Sequence, residues 1–94
     1  EVLRPIIKFQ NNLILDVFNY YLRLRKINLE LILEADQAEL ISRIFHNDKE
    51  LTNEIKYIIV GFFTSHEYST YCSMKSEINK RIIQIVKERV LSTI

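Results

Sequence analysis

Glu54-Ile-Lys-Tyr-Ile-Ile-Val-Gly-Phe-Phe-Thr-Ser-His-Glu-Tyr-Ser-Thr-Tyr71 decides the fold reading, because its apolar residues do not keep to one stripe. Ile55, Ile58, Ile59 and Phe62 form one face at helical spacing, while Tyr57, Val60, Phe63, Tyr68 and Tyr71 place large side chains around much of the rest. A helix apolar on most sides needs partners on most sides. The segment 76–94 repeats the demand: Ile78, Ile82, Ile85 and Val86 share one side, and Ile83, Val90, Leu91 and Ile94 widen it. Two such helices in succession carry more apolar surface than one small monomer covers. The pattern therefore predicts a helix pair that meets its own copy in a symmetric dimer. Ile59, Phe63 and Tyr71 from the first helix, with Ile78, Ile82, Ile85, Val86 and Val90 from the second, are the expected interface.

The rest of the composition narrows the class. Ninety-four residues allow one domain, 1–94, with a modest core. A content of 48% hydrophobic and 27% charged residues, with one Gly and one Pro, belongs to a folded helical chain and leaves no room for a disordered linker. The net charge of +1 creates no field for nucleic acid, and the densest basic group, Arg23, Arg25 and Lys26, is too short for a phosphate-binding stripe. A single cysteine, Cys72, excludes an intramolecular disulfide and fits a reducing, cytoplasmic setting. The longest apolar run, from Tyr57 to Phe63, is far shorter than the roughly 20 residues that span a bilayer, so no membrane partner is expected. Because the sequence opens at Glu1 without an initiating Met, it is expected to be a piece of a longer polypeptide.

Taken in order, the chain reads as an all-α antiparallel bundle of four to five helices. Pro5 suits a first helical turn, and Ile7, Ile14, Val17, Phe18, Tyr21 and Leu24 keep helical spacing. The polar run 10–12 is either the solvent face of that helix or a break in it, since adjacent Asn side chains compete with the backbone ladder. Residues 27–36 carry enough apolar side chains for a short buried helix. Asp36 with Glu39 three residues on has capping-box spacing, Asp48 or Thr52 can cap the long apolar helix, and Ser76 can cap the last one. Gly61, in mid-helix, costs about 1 kcal/mol relative to Ala. Close approach of another helix or a ligand would offset that; simple tolerance in a core helix is the other reading.

No arrangement for chemistry is visible, and no enzyme activity or cofactor is expected. His66-Glu67 opens the zinc-hydrolase pattern His-Glu-x-x-His, but Thr70 stands where the second imidazole must be, so no metal site is expected. One glycine excludes a phosphate-cradling loop. The aromatics say more. Phe18, Tyr21, Leu22, Tyr57 and Phe62 would edge an apolar cavity for a small organic effector; the simpler reading is that the rings are core and interface.

The stretch from Tyr57 through Gly61 to Phe63, then Tyr68 to Tyr71, Cys72-Ser-Met-Lys75 and Ser76-Glu77 resembles the C-terminal regulatory domain of TetR-family transcriptional regulators. In that family an apolar helix with a small residue near its middle precedes a short turn and a final amphipathic helix. The resemblance covers 54–94 and, as a helical outline only, 13–45. It implies a homodimer whose last two helices form a four-helix bundle with their copies, and remaining helices that enclose an effector pocket. DNA would be contacted only through an N-terminal helix-turn-helix that this chain does not contain. The segment 36–51 is short for the family, and tyrosine replaces the usual late tryptophan. The alternative expectation is a free-standing helical adaptor or immunity-type protein that binds one protein partner through the same apolar surface.

Overall fold

Apolar residues at three- and four-residue steps nucleate every helix of the computed structural model, which describes residues 2–93. In chain order these are α1 (Leu3–Phe9), α2 (Asn11–Leu24), a single 3-10 turn (Leu29–Leu31), α3 (Glu34–Asn47), α4 (Lys49–Val60), α5 (Ser65–Ser73) and α6 (Lys75–Thr93). No strand occurs among the described residues. Ile94, assigned to the last helix's stripe, lies outside them.

The core is built from one face of each long helix. Ile14, Phe18 and Leu22 of α2, Ile41 and Phe45 of α3, Leu51, Ile55 and Ile59 of α4, and Ile82, Ile85, Val86 and Val90 of α6 bury together. α6 packs on α3 and α4, α2 lies along α4, and α1 touches α2, α4 and α6 through Leu3 and Ile7. Phe18 and Phe45 stack at 5.6 Å with their planes 11° apart, fastening α2 to α3. The resulting body measures 45 × 23 × 22 Å.

The long apolar helix expected over 54–71 is two helices. α4 ends at Gly61, whose φ of −60° any residue adopts, and a Cβ there would meet only carbonyls of its own last turn, the nearer at 3.3 Å. Neither a neighbouring helix nor a left-handed backbone requires the glycine. The break is completed by Thr64. Its hydroxyl accepts from the Glu67 amide at 3.1 Å while Glu67 Oε1 accepts from the Thr64 amide at 2.8 Å, a full capping box. The other expected box does not form: α3 starts at Glu34, ahead of Asp36, and Glu39 pairs instead with Arg43 at 3.2 Å. Of residues 27–36, Leu29–Leu31 make one 3-10 turn whose Leu31 is 82% exposed and 34–36 open α3, so no separate buried helix forms there. Gln10 does break the first helix, but the ladder continues across it, Gln10 donating to Ile6 O and Ile14 to Gln10 O, both at 2.9 Å. Asp48 caps α4, accepting from the Leu51 amide at 3.2 Å. Ser76 lies one residue inside α6, which begins at Lys75.

α2 ends in an uncommon way. Lys26 adopts φ 59°, its amide donates to Arg23 O at 3.0 Å, and the Ile27 amide donates to Leu22 O at 2.8 Å. That is a complete Schellman motif with lysine at the left-handed position usually given to glycine. Leu22 belongs to the core and the half-buried Ile27 packs against that core, the apolar pairing this motif favours.

Candidate interaction surface

The eight residues expected to meet a second copy are consumed within one chain. Ile59, Tyr71, Ile82, Ile85, Val86 and Val90 are buried, with Ile82 and Val86 wholly inaccessible, and Phe63 and Ile78 are half-buried against the same core. The physical reason is the break at Gly61. Folding α5 back brings Tyr71 against α6, where its hydroxyl donates to Asn79 Oδ1 at 2.7 Å and its ring meets Phe63 at 5.7 Å. α3 and α4 cover the remainder of the α6 stripe. A partner could reach those side chains only if the chain opened.

The five residues expected around an effector cavity are not brought together either. Phe18 and Leu22 are core, Tyr21 is half-buried, and Tyr57 and Phe62 stand on the surface. An apolar cleft of about 270 Å³ does exist, but between the start of α1, α5 and α6, where Leu3, Phe63, Tyr71 and Ile78 line it. It is smaller than the cavities that enclose a drug-sized ligand, roughly 300–1,000 Å³. Among the described residues no three His, Cys, Asp or Glu side chains gather as a metal cage requires. No described helix is long and apolar enough to cross a membrane.

What the surface does offer is a second apolar stripe on α1 and α2, offset by about one residue from the buried one. Phe9, Leu13, Val17, Tyr20 and Leu24 follow one another at helical steps; all but the half-buried Val17 are exposed, Phe9 at 74% and Tyr20 at 51%. α4 lies antiparallel beside α2, and contacts between them mark the register. Arg25 Nη2 donates to Glu50 Oε1 at 3.1 Å at one end, and at the other the Phe9 ring of α1 meets Phe62, just past α4, edge-on at 5.7 Å. Tyr57 sits on the α4 face that carries Glu50 and Glu54, so its 68%-exposed ring opens beside the α2 stripe. The sequence already contained this signal: the spacing 9, 13, 17, 20, 24 is as regular as that of the core face.

One end of this surface is closed by charge. Arg25 Nε reaches Asp48 Oδ2 at 3.1 Å and its Nη2 reaches Oδ1 at 3.2 Å, a fork on a carboxylate that also caps α4. Hydrogen bonding to Arg25 holds the Asp48 carboxyl below its ordinary value, and Asp48 and Glu50 raise Arg25 further still. The guanidinium lies 5.5 Å from the Tyr21 ring. Burial, then the neighbouring Glu54 carboxylate, pushes the Tyr21 hydroxyl above its usual range, so this rim is a neutral phenol beside paired charges at pH 7. Arg25, Asp48 and Glu50 are partnered with one another, which makes the rim a structural clamp between the end of α2 and the start of α4. No family model, curated protein or solved structure matches the chain.

Proposed function

We propose that this domain is an association module that binds a protein partner through the outer face of α2 and α4. The exposed stripe and its flanking rings carry the reading. Phe9, Leu13, Tyr20, Leu24, Tyr57 and Phe62 leave on the order of 600 Å² uncovered, at about 200 Å² for a fully exposed large side chain. Monomeric proteins seldom leave contiguous apolar patches beyond a few hundred Å² without a use for them. Of the two expectations raised by the sequence, this supports the adaptor. Effector sensing in the manner of a TetR-like regulator needs an enclosed pocket, and its five named residues are divided between core and surface. Association is the element both expectations share, and here it moves to a different pair of helices.

The test is co-isolation from the source cells after mild cross-linking, comparing the wild type with Leu13→Glu/Tyr20→Glu and with the distant surface variant Tyr68→Glu. The first variant should lose the partner and the second keep it, while circular dichroism shows both folded. Equal recovery with all three proteins would sink the reading.

A further inference from the structure

We infer that the partner on this face is a second copy of the chain, with its α2 antiparallel to the first; the inference rests on the association reading above. A two-fold interface is self-complementary: wherever residue i touches j, j also touches i. The α2 stripe has that property. Read backwards, Leu24, Tyr20, Val17, Leu13 and Phe9 repeat nearly the same steps. An antiparallel pairing therefore sets Phe9 against Leu24 of the copy and Leu13 against Tyr20, and brings Val17 to Val17 at the axis. Each ring faces a leucine, and the small branched side chain falls at the centre, where the helix axes come closest.

The flank obeys the same symmetry. Asn12, Asp16, Asn19 and Arg23 run along the polar edge of the stripe. In this register Arg23 lies across from Asn12 of the copy, and Asp16 from Asn19. Arg23 and Asp16 each face an amide side chain there, so the centre of the edge can hydrogen-bond without repulsion. The area is sufficient as well. The exposed stripe residues Phe9, Leu13, Tyr20 and Leu24 contribute on the order of 400 Å² per chain, and the flanking Tyr57 and Phe62 with a polar rim extend this toward the roughly 800 Å² per partner of a stable interface.

The register is tested by disulfide trapping in a Cys72→Ser background, because Cys72 is exposed and would trap on its own. Leu13→Cys and Tyr20→Cys are purified separately, then oxidised alone and as a mixture. The antiparallel pairing predicts a covalent dimer in the mixture and little in either single variant, whose own thiols lie about 10 Å apart along the axis at 1.5 Å per residue. Trapping of each single variant with itself, and none across the mixture, overturns the register. Light scattering on the untouched chain supplies the second readout. About twice the chain mass of 11.3 kDa is expected, falling to one chain for Leu13→Glu. A monomer at sub-millimolar concentration with no trapping overturns self-pairing. If co-isolation of another protein then still depends on Leu13 and Tyr20, the association reading survives without it; if that fails too, both fall together.

Discussion

α6 and α2 are both amphipathic helices with apolar residues beyond a single stripe, yet they spend them differently. α6 gives Ile82, Ile85, Val86 and Val90 to its own chain and half-buries Ile78, Ile83 and Leu91 around them. α2 buries Ile14, Phe18 and Leu22 on one side and leaves Leu13, Tyr20 and Leu24 in water on the other. An apolar helix thus states how much covering it needs and not who supplies it. For α6 the supplier is the rest of the same chain, because α3, α4 and the folded-back α5 arrive on its sides.

The sharpest way to break this contrast is to place one charge on each helix. Ile82→Glu puts a carboxylate where no solvent reaches, at a cost above about 4 kcal/mol, comparable to the whole stability of a small domain. Circular dichroism should show loss of cooperative unfolding. Leu13→Glu should abolish association and leave cooperative unfolding intact, with a melting temperature lowered only by the lost linkage to dimerisation and converging on the wild type's as the protein is diluted. Smaller, and confined to α2, is the comparison of its two faces. Phe18→Ala should lose about 3–5 kcal/mol in urea titration through the cavity left beside Phe45, whereas Tyr20→Ala should lose under about 1 kcal/mol. Comparable losses at both positions would mean that the outer stripe is core after all.

A third measurement concerns the clamp between the two faces. Asp48 is held below its ordinary pKa by Arg25, so its contribution is present above the unfolded value of about 3.9 and lost as pH falls through the lower folded one. Asp48→Asn keeps a capping oxygen, should cost under about 1 kcal/mol at pH 7, and should flatten the acid limb of a stability profile below about pH 4. A limb as steep as the wild type's would assign acid sensitivity to other carboxylates. The smallest effect is a gain. Lys26→Gly removes the left-handed penalty at the end of α2 and should raise stability by about 0.5–1 kcal/mol in the same titration.

Much of the fold was legible because it depends on local spacing. The helical class, the cap at Asp48 and a possible break near Gln10 all follow from residues within a turn of one another. Thr64-Ser-His-Glu67 was legible too, as a capping box following a glycine, but the apolar run 57–63 before it and the rings of Tyr68 and Tyr71 after it keep helical spacing across it. An unbroken 54–71 helix would leave α6 uncovered, so the expectation of a second copy on that face follows from the missing break. The association surface was harder, because a stripe of regular apolar residues on α2 looks the same in sequence whether it faces a core or water. Only the placement of α4 beside Tyr21 and Arg25 shows which side was left open.

The fold-back of α5 carries a consequence for motion. Its nine residues place one side chain, Tyr71, in the interior, and it packs chiefly on α6. Lifting it away exposes that ring and few other buried atoms, while the remaining helices keep their mutual contacts. Backbone amides of α5 should therefore exchange with deuterated solvent through a local opening that costs much less than global unfolding, despite full helical hydrogen bonding. Those of α4 and α6, flanked by wholly buried isoleucines, should exchange only when the whole molecule unfolds. Helicity and protection part company at the turn that Thr64 caps.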